Sequence, residues 1–154
     1  MFFTGKSDIG MKRSSNQDSF LTLKICSNAL LCVVCDGMGG ANGGNVASSL
    51  AIDTFASYCA ARIKDKTIAS TDVYTDEDAD INIPVIMSNA ASAANTAVLH
   101  KGNEDTALSG MGTTIVAALI IDGNMYVLNV GDSRLYLVAG KGGTQITKDH
   151  SYVQ

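Results

Sequence analysis

The stretch Leu30-Leu31-Cys32-Val33-Val34-Cys35-Asp36-Gly37-Met38-Gly39-Gly40 is an apolar run that ends abruptly in a carboxylate and then dissolves into glycine. An unbroken apolar segment from Ala29 to Cys35 predicts a strand buried on both faces. Asp36 would then sit where the strand meets a rim. A lone aspartate there is a poor packing residue and a good ligand for a hard cation. The same grammar recurs in Tyr126-Val127-Leu128-Asn129-Val130-Gly131-Asp132-Ser133-Arg134. Asp-Gly steps also build ordinary turns, so spacing by itself leaves both readings open.

Working outward, Phe2 to Ile9 is a candidate first strand, followed by a polar loop from Gly10 to Gln17. Ser19 to Ile25 alternates polar and apolar residues, the mark of a half-buried strand. After the glycines, Asn45 to Ile63 predicts a helix, with Ile52, Phe55, Cys59 and Ile63 on one stripe that Val46 and Leu50 widen. Residues 65–82 are polar and acidic and predict a loop or a weakly ordered insert. Pro84 suits the first turn of a second helix, whose buried face would be Ile86, Ala90, Ala93 and Ala97, with Gly102 as its stop. Thr114 to Ile121 and Met125 to Val130 flank Asp122-Gly123, a strong hairpin signal. Leu135 to Ala139 and Thr144 to Thr147 predict two short strands about a turn at 140–143. Strands, two helices, then strands again favour an α+β fold with antiparallel sheet over a doubly wound one.

The chain has 154 residues, of which 46% are hydrophobic and 17% charged, so it is globular sequence of single-domain size. A net charge of −4 argues against a nucleic-acid surface. No apolar stretch has the length to cross a bilayer, and the N-terminus lacks a signal-peptide core, so no membrane partner and a cytoplasmic location are expected. Four cysteines invite a zinc or redox reading. In a strand, however, Cys32 and Cys35 point to opposite faces, and buried structural thiols fit better.

Two other motifs fail on spacing. In Gly37-Met38-Gly39-Gly40-Ala41-Asn42-Gly43 an asparagine stands where a dinucleotide motif needs its third glycine, and no Lys-Ser/Thr step follows. Asp76-Glu77-Asp78-Ala79-Asp80-Ile81-Asn82 opens like a calcium loop, but Ile81 replaces its glycine and Met87 its bidentate glutamate. The remaining constellation is Asp18, Asp36 and Asp132, each at a strand boundary. Gathered at one rim, three carboxylates would resist ionisation unless cations compensate them. Oxygen donors alone suit Mg²⁺ or Mn²⁺. Arg13 could grip a phosphate bidentately, or be a solvated arginine or a partner for Asp8.

Five segments in order resemble the motifs of bacterial PPM-type phosphatases, the protein phosphatase 2C family. They are Ser7 to Ser19, Val34 to Gly40 with Gly43 to Ser48, Gly110 to Thr114, Asn129 to Tyr136, and Ile146 to Ser151. The resemblance implies two antiparallel sheets packed as a sandwich with flanking helices. It implies a metal-dependent Ser/Thr protein phosphatase acting on phosphorylated proteins through a two-metal Mn²⁺ or Mg²⁺ centre, with a third metal possible. Asp36 would bridge the metals, Gly37 would lend its carbonyl, and Asp18 would help hold the centre through bound water. Asp132 would bind the third metal and Arg13 the substrate phosphate. Metals in that arrangement acidify a water that attacks phosphorus in line, without a covalent enzyme intermediate.

The match also has departures. Gln17 stands where many members have glutamate, and Ala41 where many have a histidine assigned to leaving-group protonation. Residues 1–154 are expected to form a single partial domain, because the family domain continues past this point with two further metal-binding aspartates. The expectation is weak metal affinity, doubtful activity for the chain alone, and exposed strand edges that a complementing C-terminal segment or a second copy would cover. The alternative is a non-catalytic phosphatase-fold module that binds phosphopeptides or a partner chain.

Overall fold

A computed structural model of the chain describes residues 2–39, 43–69 and 82–150. In order these form β1 (Asp18–Cys26), β2 (Ala29–Met38), α1 (Gly43–Ala69), α2 (Ile83–Glu104), a 3-10 turn (Thr106–Leu108), β3 (Gly112–Thr113), β4 (Ile115–Ile121), β5 (Asn124–Val130), β6 (Tyr136–Ala139) and β7 (Gly142–Gln145). Every described pairing is antiparallel. The main sheet runs β1-β2-β4-β5, with β3 on the end of β2, and β6-β7 is a separate two-stranded sheet. The expected α+β class with antiparallel sheets and helices is what the chain adopts.

Strand periodicity divides β2 between two environments. Leu31, Val33 and Cys35 are buried, whereas Val34, Asp36 and Met38 are exposed and Cys32 is half-buried. Around Val34 the strand is therefore covered on one face, not two: Leu31 is 0% exposed and Val34 is 47%, while Leu30, on the Val34 side, is buried at the strand's start. Every position from Ala29 to Cys35 is apolar, so the sequence offers no contrast to tell a covered face from an open one. On the covered side α1 lies against β1 and β2, and α2 packs onto α1. Ala51, Ile52, Phe55, Cys59 and Ile63 meet the inward strand residues in one core.

Helix α2 buries Ile83, Met87, Ala90, Ala94 and Val98. Only Ala90 of the expected stripe is fully buried. In so alanine-rich a helix several stripes have similar apolarity, and the larger Met87 and Val98 settle which one enters the core. Asn82 Oδ1 accepts the Val85 N–H at 3.1 Å, and Pro84 occupies the first turn as expected. The helix continues past Gly102. A Cβ there would lie 3.3 Å from the Leu108 carbonyl, so that glycine serves close packing and not termination.

Other boundaries shift too. Residues 2–9 form no strand; instead Gly5 rests on the Phe20 ring, where a Cβ would overlap it. Helix α1 begins at Gly43 and takes in residues 65–69, expected as loop. Strand β7 starts two residues early, because the turn tightens to Gly140 (φ +60°) and Lys141. Asp122 (φ +50°) and Gly123 (φ +79°) make the expected tight hairpin. The acidic run 70–81, together with Ala41 and Ser151, lies outside the described residues. Among the described residues no helix is long and apolar enough to cross a membrane.

Candidate active site

The register of β1 on β2 sets Asp18 directly opposite Asp36. Opposed residues in a ladder bring their Cβ atoms to about 5 Å, so two carboxylates meet at the sheet's end. Both lie on the open face, one pleat beyond the Phe20–Val34 pair. Although Asp36 is an exposed residue, partial burial of its carboxyl holds it above its ordinary value. The Asp18 charge, a shared hydrogen bond with Asp18 and the Asp132 charge add to this, while Arg13 opposes it. Arg13 and Asp132 are thus within electrostatic reach of Asp36, although they come from loops far apart in sequence. Asp8, the other candidate partner for Arg13, accepts the Gly10 N–H at 2.8 Å.

Close backbone packing fixes this rim. The Gly37 N–H donates to the Gln17 carbonyl at 3.1 Å. A Cβ on Gly37 would overlap the Gly44 carbonyl and stand 2.6 Å from the Gln17 carbonyl oxygen. Gly37 is therefore glycine because the end of β2, the start of β1 and the first turn of α1 touch there. Beneath them Ser48, 0% exposed, donates to the Gln17 carbonyl at 2.8 Å and shares a 2.9 Å hydrogen bond with Ser19. The Asp36 carbonyl accepts from the Thr114 N–H and from the Thr113 hydroxyl, both at 3.0 Å. The aspartate is delivered by a backbone bonded from several sides.

Residues 4–152 match the family model for protein phosphatase 2C. The chain belongs to that family. It is 32% identical to the serine/threonine protein phosphatase PstP of Mycobacterium tuberculosis over 99% of this chain and 26% of that protein. It is 31% identical to the serine/threonine phosphatase stp of Listeria monocytogenes over 96% of this chain and 54% of that one. Among solved structures, the Streptococcus agalactiae serine/threonine phosphatase superposes with a TM-score of 0.76 at 32% identity. That match covers 95% of this chain and 55% of the other. The chain thus spans about half the length of these shorter relatives and about a quarter of PstP.

In this phosphatase 2C chain the expected site residues come together unevenly. Asp18 and Asp36 converge, with Asp132 and Arg13 close enough to influence Asp36. Among the described residues, however, no three His, Cys, Asp or Glu side chains gather as a cation cluster. The donor set fits one side of a hard-cation centre: oxygen donors, two opposed carboxylates, and an Asp36 proton affinity raised by burial and then by the Asp18 charge, which a cation would offset. The cysteines take no part. All four are free, with Cys35 and Cys59 buried and their thiols pushed up to about 12 by burial.

Three hydroxyl residues were missed as parts of the site: Ser48, Thr114 and Ser133. Each lies within a motif quoted above, but the sequence gives their hydroxyls no visible target. A buried serine or threonine beside a glycine-rich turn was the available signal, since a buried hydroxyl needs a partner.

Proposed function

We propose that this chain is the N-terminal part of a metal-dependent phosphatase domain that hydrolyses phosphoserine and phosphothreonine in cytoplasmic proteins. The opposed Asp18–Asp36 pair carries this reading. It crowds two carboxylates at a strand end, with the Asp36 carboxyl raised. Asp18, Asp36 and the Gly37 carbonyl would hold the Mn²⁺ or Mg²⁺ pair, and Asp132 a third, weaker ion. When bound, such ions acidify water and offset charge on phosphoryl oxygens. Arg13 would take two phosphate oxygens through its guanidinium fork and hold phosphorus in line with the rim. The rigid backbone about Asp36 keeps the carboxylate from recoiling as charge redistributes.

The open sheet face enters this proposal. Phe20 and Val34 are 41% and 47% exposed beside the acidic rim, and the relatives are about twice as long as this chain or longer. A complementing C-terminal segment, or a second copy, would cover that face and supply the carboxylates that complete the centre.

The test is Mn²⁺-dependent hydrolysis of a phosphothreonine peptide by this chain, beside Asp36→Asn. Turnover lost in Asp36→Asn supports the enzyme; equal rates for the two proteins reject catalysis by the chain. The second reading is a non-catalytic module that binds phosphopeptides or a partner chain. It draws on the lack of a three-ligand cluster among the described residues. Phosphopeptide affinity that survives Arg13→Ala would count against that pocket.

A further inference from the structure

Thr114 is 4% exposed and stands between the Asp36 end of β2 and the Asp132 loop. Its hydroxyl oxygen accepts the Asp36 N–H at 3.0 Å, and its own N–H donates to the Asp36 carbonyl at 3.0 Å. The same hydroxyl shares a 2.7 Å hydrogen bond with the Ser133 hydroxyl. Its methyl faces Gly131 (φ +106°), where a Cβ would come within 2.6 Å of Thr114 Cγ2. The Thr114 side chain therefore touches the residues on both sides of Asp132 and closes the Asp36 N–H, while the Thr114 backbone N–H closes the Asp36 carbonyl. Both of its branches are used. Valine would keep the packing and orphan the Asp36 N–H; serine would keep the hydroxyl and open a gap at Gly131.

The Asp132 loop is braced from its other side as well. The Gly131 carbonyl accepts the His150 N–H at 2.9 Å and Asn129 Nδ2 at 3.1 Å, and Asn129 Nδ2 also donates to the Lys148 carbonyl at 3.0 Å. With that loop anchored, its link to Asp36 runs through the threonine.

We infer that Thr114, with Ser133, is a positioning residue that sets the placement of Asp36 relative to Asp132. The inference deepens the phosphatase reading and rests on it for its consequence, which is that the spacing of the cation donors is held by the hydroxyls of buried Thr114 and half-buried Ser133. Neither hydroxyl is assigned contact with substrate or metal. Partners that orient metal ligands in this way typically change metal affinity by about 10–100-fold when removed.

The experiment uses the full 154-residue chain, with Thr114→Val, Thr114→Ser and Ser133→Ala. Amide hydrogen exchange resolved by NMR is read without metal, and Mn²⁺ binding is then followed by electron paramagnetic resonance. In Thr114→Val and Ser133→Ala the Asp36 amide should exchange at least about 10-fold faster while the β4 and α1 amides stay protected. Mn²⁺ affinity should fall about 10–100-fold in both, with Thr114→Ser remaining close to the parent. Unchanged exchange at Asp36 in Ser133→Ala overturns the inference, because Ser133 can reach that amide only through Thr114. Equal Mn²⁺ affinity in Thr114→Val and the parent overturns it too. If Thr114→Val does not fold, Ser133→Ala decides alone. A parent chain that binds no Mn²⁺ would sink the metal reading, while the exchange data would still decide the hydroxyl link.

Discussion

The two faces of β2 are equally apolar up to Cys35 and live in different surroundings around Val34. Leu31, Val33 and Cys35 enter a core closed by α1 and α2. Phe20 and Val34, on the opposite side, stay exposed, with Cys32 half-buried between. The N-terminal segment crosses only part of this second side, where Thr4 to Asp8 line a cleft with Phe20, Cys32 and Val34. Asp18 and Asp36 share the open side because they are in step with Phe20 and Val34 in the pleat. The contrast shows why the acidic rim and the uncovered apolar surface belong together. Whatever covers the sheet must also approach the carboxylates.

The largest effect should be chemical. Cys32 and Cys35 are three residues apart on opposite faces, and burial holds the Cys35 thiol at about 12. At pH 8 a thiol-specific reagent should modify Cys32 at least about 100-fold faster than Cys35, as read by mass spectrometry of tryptic peptides. Comparable rates would mean that the helices do not seal their side. Protection of both would mean that the open side is covered in solution, and dilution would then separate a second copy from an intramolecular cover.

A smaller contrast is energetic. Phe55 is 0% exposed in the covered core, so Phe55→Ala should lower stability by about 3–5 kcal/mol in urea unfolding. Phe20→Ala should cost no more than about 1 kcal/mol, since its ring is already half in water. Equal losses would break the comparison. A Phe20→Ala cost that grows with protein concentration would sharpen it toward self-association.

Much of this could be read from the chain. The stop at Asp36, the Asp122-Gly123 hairpin and the proline-started second helix follow from local chemistry: a carboxylate after an apolar run, residues that tolerate positive φ, a missing N–H. The open face was illegible because Leu30 to Cys35 carry no polar residue to mark it. The orientation of α2 was illegible because Ala90, Ala93, Ala94 and Ala97 differ little in what they gain from burial. The approach of Arg13 and Asp132 to Asp36 is a tertiary event that spacing could only suggest. Thr114 is the sharpest case. Its β-branched side chain fits a strand margin so well that nothing in sequence flags its hydroxyl as a bridge between the end of β2 and the Asp132 loop.

The smallest effect concerns the β6-β7 sheet, whose residues are all exposed and which is bordered by polar ties. Arg134 Nε lies 3.0 Å and Nη2 2.6 Å from Asp149 Oδ2, and Gln145 Nε2 donates to Asp149 Oδ1 at 3.2 Å. The Arg134 hydrogen bonds hold the Asp149 carboxyl below its ordinary value of 3.8. A depressed carboxylate contributes stability that is present above that ordinary value and is lost as pH falls through the lower, folded one. Order in Tyr136 to Gln145 should therefore persist from pH 6 to 4 and loosen below, with the Arg134 Nε–H signal in NMR tracking the change. Lysine at position 134 would keep the charge and lose the fork, so Arg134→Lys should move the onset up toward the ordinary carboxylate range. Because the pair faces water the effect is local and weakened by salt, and the main-sheet amides should not follow it. If they loosen together with the hairpin, β6-β7 is coupled to the sheet by more than these ties, and the open face is less independent than its exposure implies.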